Sequence, residues 1–264
     1  MESVLTRDIN RSIGRAMHTY NMLSDGDRVL VAVSGGVDSM VLAWLLHFWQ
    51  LKAPIAYDVI PLHIDMEPAD KKAGISARSV QKQLNLLDIQ LDIVPTAWQQ
   101  LLLNFQNGKT KDICYTCAGR RRKQLFEYAR RKNCNKIALG HHQDDIIETF
   151  FINLCFAGNI STMVPRQDLF SGRLALIRPL SFLTKKDINI IAGKLHLQPV
   201  RSQCPLSEQT GRMDIRNFLD ELYAKIPEAR SHIFAALSNV RHDYLLKPAV
   251  KVQSGEGEDH ADKP

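Results

Sequence analysis

Ser34-Gly35-Gly36-Val37-Asp38-Ser39 stands directly after the apolar run Val29-Leu30-Val31-Ala32-Val33, and Asp38-Ser39 opens a helical stretch. A glycine-rich turn in that position gathers backbone N–H groups at a helix N-terminus, where partial positive charge favours phosphate oxygens. Gly35 and Gly36 let the backbone approach an anion with no Cβ in the way, and the hydroxyls of Ser34 and Ser39 add donors. A bare phosphate would repel Asp38, so its carboxylate is expected to hold Mg²⁺ against a pyrophosphate. The loop lacks the Gly-Lys-Ser/Thr ending of loops that serve a transferred γ-phosphate. A tight strand-to-helix turn with glycine for geometry alone is the plainer reading, and all six residues in this context weigh against it.

A second cluster is Cys114-Tyr115-Thr116-Cys117, just before a helix expected to begin Ala118-Gly119-Arg120-Arg121-Arg122-Lys123. A Cys-x-x-Cys pair alone fits a redox dithiol, half a zinc site or part of an iron–sulfur site. Cys204, in the polar stretch 198–210, is the third candidate ligand; Cys134 and Cys155 sit in apolar surroundings and are expected in the core. Three thiolates are one short of a four-cysteine set, and a cubane so held would leave one iron open to a substrate or a sulfur atom. Arg120 to Lys123 crowd four cations into one helical turn and call for an anionic partner, a nucleic-acid or nucleotide phosphate. Arg130, Arg131 and Lys132 close the same helix, where they complement its dipole.

A third cluster, Gly140-His141-His142-Gln143-Asp144-Asp145, follows the apolar segment Lys136 to Leu139. Loop hydrogen bonding and helix capping are the plain roles for these residues. Asp65, after Leu62-His63-Ile64, is either a strand-end turn residue or a group for a ribose or adenine edge.

These clusters need a frame that brings strand ends together, and the chain supplies one. Ile9, Ile13, Ala16 and Met17 have helical spacing within 6–21. Strands are expected at Arg28 to Val33, Tyr57 to Ile64, Ile89 to Val94, Lys136 to Leu139 and Leu174 to Arg178. Helices are expected at Asp38 to Gln50, Lys71 to Leu87, Gly119 to Lys132, Asp145 to Phe156 and Lys185 to Leu195, with 158–173 a loop. Such alternation predicts an α/β fold with a doubly wound parallel sheet, whose ligands collect beyond the carboxyl ends of the strands. After Gly211 the pattern is helical only: Ile215, Phe218, Leu219 and Leu222 share a face, and a second helix follows Pro227. The polar stretch from Ser254 reads as disordered.

The 264 residues carry 45% hydrophobic and 23% charged side chains, with no apolar run near the roughly 20 residues of a membrane span. A net charge of +6 suits a polyanionic partner or a plain basic enzyme. The first ten residues lack the plan of a secretory signal, so a cytoplasmic location is expected, and the odd count of five cysteines fits free, metal-bound or catalytic thiols there.

The Ser34 to Ser39 loop resembles that of the N-type ATP pyrophosphatase (PP-loop) superfamily, whose members adenylate a substrate oxygen and release pyrophosphate. Further stretches are similar to the tRNA 2-thiocytidine synthetases within it: Cys114-x-x-Cys117 with Arg121-Arg122, Ala138 to Thr149, Ile177-Arg178-Pro179-Leu180, Lys186-Asp187-Ile188 and Cys204. The resemblance runs from the leading helix to about Asp243. One departure is Ser207, where that family commonly has a further, non-ligand cysteine.

The resemblance implies an adenine nucleotide alpha hydrolase-like, Rossmann-like fold with a helical C-terminal piece. Its divisions would be a leading helix at 1–25, a PP-loop ATP pyrophosphatase domain at 26–200, a helical segment at 201–250 and a tail at 251–264. It implies ATP as substrate, bound by Ser34, Gly35, Gly36, Val37, Asp38 and Ser39 with Asp65, Gly140 and His141. Asp38, Arg121 and one of the pair Asp144 and Asp145, with Asp145 the candidate taken, would be catalytic, Mg²⁺ would assist, and Cys114, Cys117 and Cys204 would carry a [4Fe–4S] cluster. The implied product is 2-thiocytidine in the anticodon loop of a tRNA, with AMP and pyrophosphate. Sulfur would come from a cysteine desulfurase persulfide or from sulfide, the protein would form a homodimer, and no membrane partner is implied. The rivals are a related enzyme that thiolates a uridine or attaches an amine such as lysine, and a nucleotide-binding sensor with structural zinc. The uridine-thiolating relatives usually carry extra terminal zinc-binding cysteines, which do not occur here.

Overall fold

The computed structural model describes residues 4–66, 73–96, 110–200 and 212–246, with the backbone alone at 110–114. Thr6 caps α1 (Arg7–Thr19) by accepting the Ile9 N–H at 3.3 Å, and Ile9, Ile13, Ala16 and Met17 are buried as their spacing predicts. Then come β1 (Arg28–Ala32), α2 (Val37–Gln50), β2 (Asp58–Asp65), α3 (Ile75–Asn85), β3 (Asp92–Pro95), α4 (Thr110–Arg131) and β4 (Lys136–Ala138). They are followed by α5 (Gln143–Phe156), β5 (Arg166–Leu169), β6 (Leu174–Ile177), α6 (Lys185–Lys194), α7 (Arg212–Lys225), α8 (Ala229–Ala236) and a 3₁₀ turn at His242–Tyr244.

The strands form a six-stranded sheet in the order β3-β2-β1-β4-β6-β5. β1 is parallel to β2 on one side (Val29 opposite Val59) and to β4 on the other (Leu30 opposite Ile137). The chain leaves β1 towards β2 and β3 and returns to the opposite side through β4, which puts a crevice between the loops that follow β1 and β4. Val29, Leu30 and Val31 are fully buried, and the burial of each is worth about 1.5–3 kcal/mol. Helix α2 is apolar nearly all round from Met40 to Leu46, because it lies inside a core formed with α1, β1 and α6. Its position fixes the loop at its N-terminus.

Several details depart from the sequence-based expectations. The sheet is not wholly parallel: β5, within the expected loop 158–173, pairs antiparallel with β6. Helix α4 begins at Thr110, so Cys114 and Cys117 lie inside it and not before it. β3 starts later than Ile89 because α3 ends in a left-handed residue, Asp88 (φ 57°), and the Ile89 N–H returns to the Leu84 carbonyl. Asn21, Asn133 and His196 are also left-handed, and the next residue in each case bonds back five residues to Met17, Ala129 or Ala192. Cys134 is buried as expected, but Cys155 is exposed on the last turn of α5, whose buried residues (Ile146, Ile147, Glu148) all lie near its start. On α7, Ile215 and Leu219 are buried while Phe218 is 51% exposed, its ring 5.8 Å from that of Phe151. Among the described residues, no helix is long and apolar enough to cross a membrane.

Candidate active site

The turn after β1 is braced from within. Gly35 takes φ +97°, and the buried Ser39 hydroxyl accepts the Ser34 N–H (3.0 Å) and donates to the Gly36 carbonyl (2.8 Å). Ser39 therefore shapes the loop, while the exposed Ser34 hydroxyl, 3.2 Å from it, lies nearer solvent. Gly36 is the N-cap of α2 with no side-chain partner for the first amides, which leaves them available to an anion. Asp38, in the first turn of α2, has its carboxylate engaged by the ammonium of Lys185, the first residue of α6. Support from below comes from His63, whose Nδ1 lies 2.8 Å from the Val33 carbonyl.

The loop after β4 closes onto this turn. A Cβ at Gly140 would fall 2.9 Å from the Ser39 nitrogen and 3.0 Å from the Asp38 carbonyl carbon, so glycine is required for the approach. Arg178 Nε donates to His141 Nδ1 at 3.4 Å, which assigns the His141 proton to Nε2. Burial, opposed by Asp145 and reinforced by Arg178, Arg212 and His142, pushes the His141 imidazole down to about 4, so it is neutral at physiological pH. His142 is the N-cap of α5, and its N–H goes to Asp145 Oδ2 at 3.0 Å. Asp144 is tied on both oxygens: Oδ2 accepts the Lys185 N–H (2.7 Å) and Oδ1 pairs with Arg230 of α8 (2.6 Å). Among the described residues Asp145 is engaged through Oδ2, so its other oxygen is the one the pair leaves for a ligand. Asp65, the last residue of β2, is 1% exposed and accepts the Gly74 N–H at 2.7 Å, which ties β2 to α3.

The family profile described as PP-loop domain matches residues 5–222. The chain is 33% identical over 245 residues to tRNA-cytidine(32) 2-sulfurtransferase 1 of Francisella tularensis subsp. tularensis, covering 92% of this chain and 89% of the relative. It is 33% identical over 247 residues to tRNA-cytidine(32) 2-sulfurtransferase of Pelobacter propionicus, covering 93% and 90%. The chain belongs to the PP-loop family, among the tRNA-cytidine 2-sulfurtransferases. The U34-tRNA thiolase NcsA from Methanococcus maripaludis, solved with its [4Fe-4S] cluster, has the same fold, with a TM-score of 0.69 at 22% identity over 88% of this chain and 78% of that one.

In this PP-loop protein the two basic groups of α4 differ in their surroundings. Arg120, Arg121 and Arg122 are exposed and have no acidic partner among the described residues. At the other end Lys132 pairs with Asp92 (3.5 Å) and Arg131 lies over the Tyr128 ring (5.2 Å). The structure does not bring Arg121 into contact with the Ser34 to Ser39 loop among the described interactions. Positions 114 and 117 fall on one face of α4 a turn apart, and Cys117 is half-buried. Two thiols so spaced suit one metal cluster. The Cys114 side chain, Cys204 and Ser207 lie outside the described residues, and within those residues no three His, Cys, Asp or Glu side chains gather as a metal site.

Lys185 and three other features of this PP-loop site were not singled out from sequence. Arg178 is 6% exposed, donates to the Val164 carbonyl as well as to His141, and has its guanidinium pulled below its ordinary value by burial. Glu148, 4% exposed, takes a bidentate pair from Arg216 (2.8 and 3.0 Å) and locks α7 onto α5. The Val200 N–H bonds the Gly35 carbonyl at 3.0 Å. Each joins positions far apart in the chain, and only the motifs around Glu148 and Arg178 gave a local hint.

Proposed function

We propose that this chain is an ATP-dependent tRNA-cytidine 2-sulfurtransferase, which adenylates the C2 carbonyl oxygen of an anticodon-loop cytidine and replaces that oxygen with sulfur. The observation that carries this reading is the 33% identity to tRNA-cytidine(32) 2-sulfurtransferases along 92% of the chain. The chemistry explains why ATP is needed. Oxide is a poor leaving group from a pyrimidine carbon, whereas AMP is a good one. The C2 oxygen attacks the α-phosphorus, the bond to the bridging oxygen breaks, and pyrophosphate leaves with the electron pair. A sulfide equivalent then adds at C2, the C–O bond breaks, and AMP departs. A persulfide donor, as from a cysteine desulfurase, supplies that equivalent once reduced by two electrons.

The residues take their roles from the geometry above. The open amides at the start of α2 and the Ser34 hydroxyl bind the pyrophosphate. Asp38 fits Mg²⁺: it is a partly exposed carboxylate that already holds a cation. Neutral His141 presents an Nε2–H to the adenosine, and the open oxygen of Asp145 faces the α-phosphate. Arg121 stabilises charge near the reacting phosphate or base, and Arg120 and Arg122 meet tRNA phosphates. Cys114 and Cys117, with Cys204, would hold a [4Fe–4S] cluster, their spacing on α4 and thiol chemistry being suited to one. When bound there, the cluster supplies an iron with a coordination position open to sulfur. A homodimer in the cytoplasm completes the reading.

The test is anaerobic incubation of iron-loaded protein with MgATP, sulfide and unmodified tRNA, followed by mass spectrometry of the tRNA nucleosides. 2-Thiocytidine, formed only with ATP, is the expected product. AMP release with a modified uridine or a lysine adduct instead would refute the cytidine assignment.

A further inference from the structure

Lys185 sits where a cation gains nothing from its own helix. It is the first residue of α6, and a positive charge at a helix N-terminus opposes the macrodipole. Its backbone is nonetheless fixed there from two sides. Thr184 and Asp187 form a capping box around it, and its own N–H goes to Asp144 Oδ2 at 2.7 Å, a carboxylate held in turn by Arg230. So anchored, the side chain reaches across to α2, and its ammonium meets Asp38 Oδ1 in the first turn of that helix.

The surroundings explain why a cation is placed there. The N-termini of α2 and α6 both point their positive ends at this spot, and among the described residues Asp38 is the carboxylate to which the ammonium is bound. Lys185 is 42% exposed and Asp38 27%, so the pair is open to solvent on one side and its long flexible stem can turn. A pyrophosphate on the α2 amides brings a larger negative charge to the same place than Asp38 does.

We propose that Lys185 is a catalytic residue for pyrophosphate departure, an inference that rests on the adenylation reading. In the nucleotide-free protein its ammonium neutralises Asp38. When a magnesium nucleotide arrives, Asp38 turns to the metal ion, and the freed ammonium transfers to the β- and γ-phosphate oxygens. There it stabilises the charge that builds up as the bond to the α-phosphorus breaks. No proton or electron is transferred; one ion pair is exchanged for another.

The experiment measures affinity for ATP, for magnesium pyrophosphate and for AMP by isothermal titration calorimetry, in the unmodified protein and in the K185A, K185R and K186A variants. AMP lacks the phosphates that Lys185 is proposed to meet. K185A is expected to lose at least about ten-fold in affinity for ATP and pyrophosphate with AMP changed less than about two-fold, and to release pyrophosphate about 100-fold more slowly in a single turnover. K185R should recover part of the loss. Lys186 is an exposed neighbour of equal charge, so K186A should match the unmodified protein on all three ligands. Pyrophosphate binding by K185A that equals or exceeds that of the unmodified protein would overturn the proposal, because Lys185 would then only neutralise Asp38. An equal loss for all three ligands would overturn it as well, since the side chain would be supporting the site's shape. If the unmodified protein binds AMP but neither ATP nor pyrophosphate, the adenylation reading itself fails and takes this one with it.

Discussion

Replacing Gly140 with alanine adds a single methyl group to the active-site rim and removes no chemical group. The new Cβ would lie 2.9 Å from the Ser39 nitrogen, 3.0 Å from the Asp38 carbonyl carbon and 3.0 Å from the Ser39 Cα. Carbon atoms settle at about 3.5–4.0 Å, so the deficit is about half an ångström or more against three backbone atoms of a helix start. Those atoms cannot turn aside as a side chain would: α2 continues into Met40 to Leu46, all but Trp44 fully buried. The loop after β4 must yield instead, and it carries His141 and the start of α5. Overpacking of this kind costs about 1–3 kcal/mol, which lowers the melting temperature by roughly 2–4 °C per kcal/mol in a chain of this size. The same shift misplaces His141 and Asp145 relative to the phosphate loop and should slow AMP formation by about 10- to 100-fold. Calorimetric melting and a single-turnover assay of AMP release read both effects. An alanine variant with unaltered melting temperature and unaltered rate would refute the close packing of the two loops.

Exchanging Asp38 for alanine should abolish pyrophosphate release with the fold intact, as judged by circular dichroism and a pyrophosphate assay, because the carboxylate serves the ligand and not the core. The imidazole of His141, held near 4 against about 6.5 in an unfolded chain, binds fewer protons folded than unfolded between those values. Its contribution is therefore complete above about pH 6.5 and lost as pH falls towards 4, and urea titrations across that window should show a smaller pH dependence for H141Q than for the unmodified protein. Removing Glu148 as E148A should cost about 1–3 kcal/mol, below the ~3–5 kcal/mol of a fully buried pair because Arg216 is 52% exposed, and hydrogen exchange should speed up in α7 before it does in the sheet. Serine at Cys114, Cys117 or Cys204 should each remove most of the iron and acid-labile sulfide from anaerobically prepared protein, while serine at Cys134 or Cys155 should leave them in place.

The parts of the fold that could be read from sequence are those in which local pattern and tertiary burial agree. The stripe of Ile9, Ile13, Ala16 and Met17 placed α1, and the run Val29 to Val33 placed a strand buried on both faces. The phosphate loop was legible because its six residues are contiguous and each answers a backbone requirement. β5 escaped because Arg166-Gln167-Asp168-Leu169 lies at the sheet's edge, where polar residues are tolerated and no alternation is imposed. The upstream turns of α4 escaped because Gly119 reads as a boundary, although the helix passes through it. Cys155 was misplaced for a different reason: Phe150 to Phe156 is apolar at every position but Asn153, so periodicity says little about which face meets the core.

The site divides in the same way, between groups set by neighbours in sequence and groups set by distant ones. Asp144 and Asp145 look equivalent in the sequence, and only the arrival of Lys185 and Arg230 from α6 and α8 engages one of them fully and leaves the other an open oxygen. Lys185 itself reads as an ordinary surface lysine at a helix start until the sheet order brings it beside Asp38, 147 positions earlier. The Val200 N–H reaches the Gly35 carbonyl four residues before Cys204, and Arg212 and Arg216, eight and twelve residues after it, pair with Glu148. The described residues nearest to it on either side, Val200 and Arg212, are therefore fastened to the Ser34 to Ser39 loop and to α5. A displacement of Gly35 by bound pyrophosphate must be absorbed at Val200, because its N–H would otherwise lose its partner at a cost of about 1–3 kcal/mol. Val200 is thus tethered to the Ser34 to Ser39 loop by a backbone bond, which no side-chain substitution removes and no reading of residue types reveals.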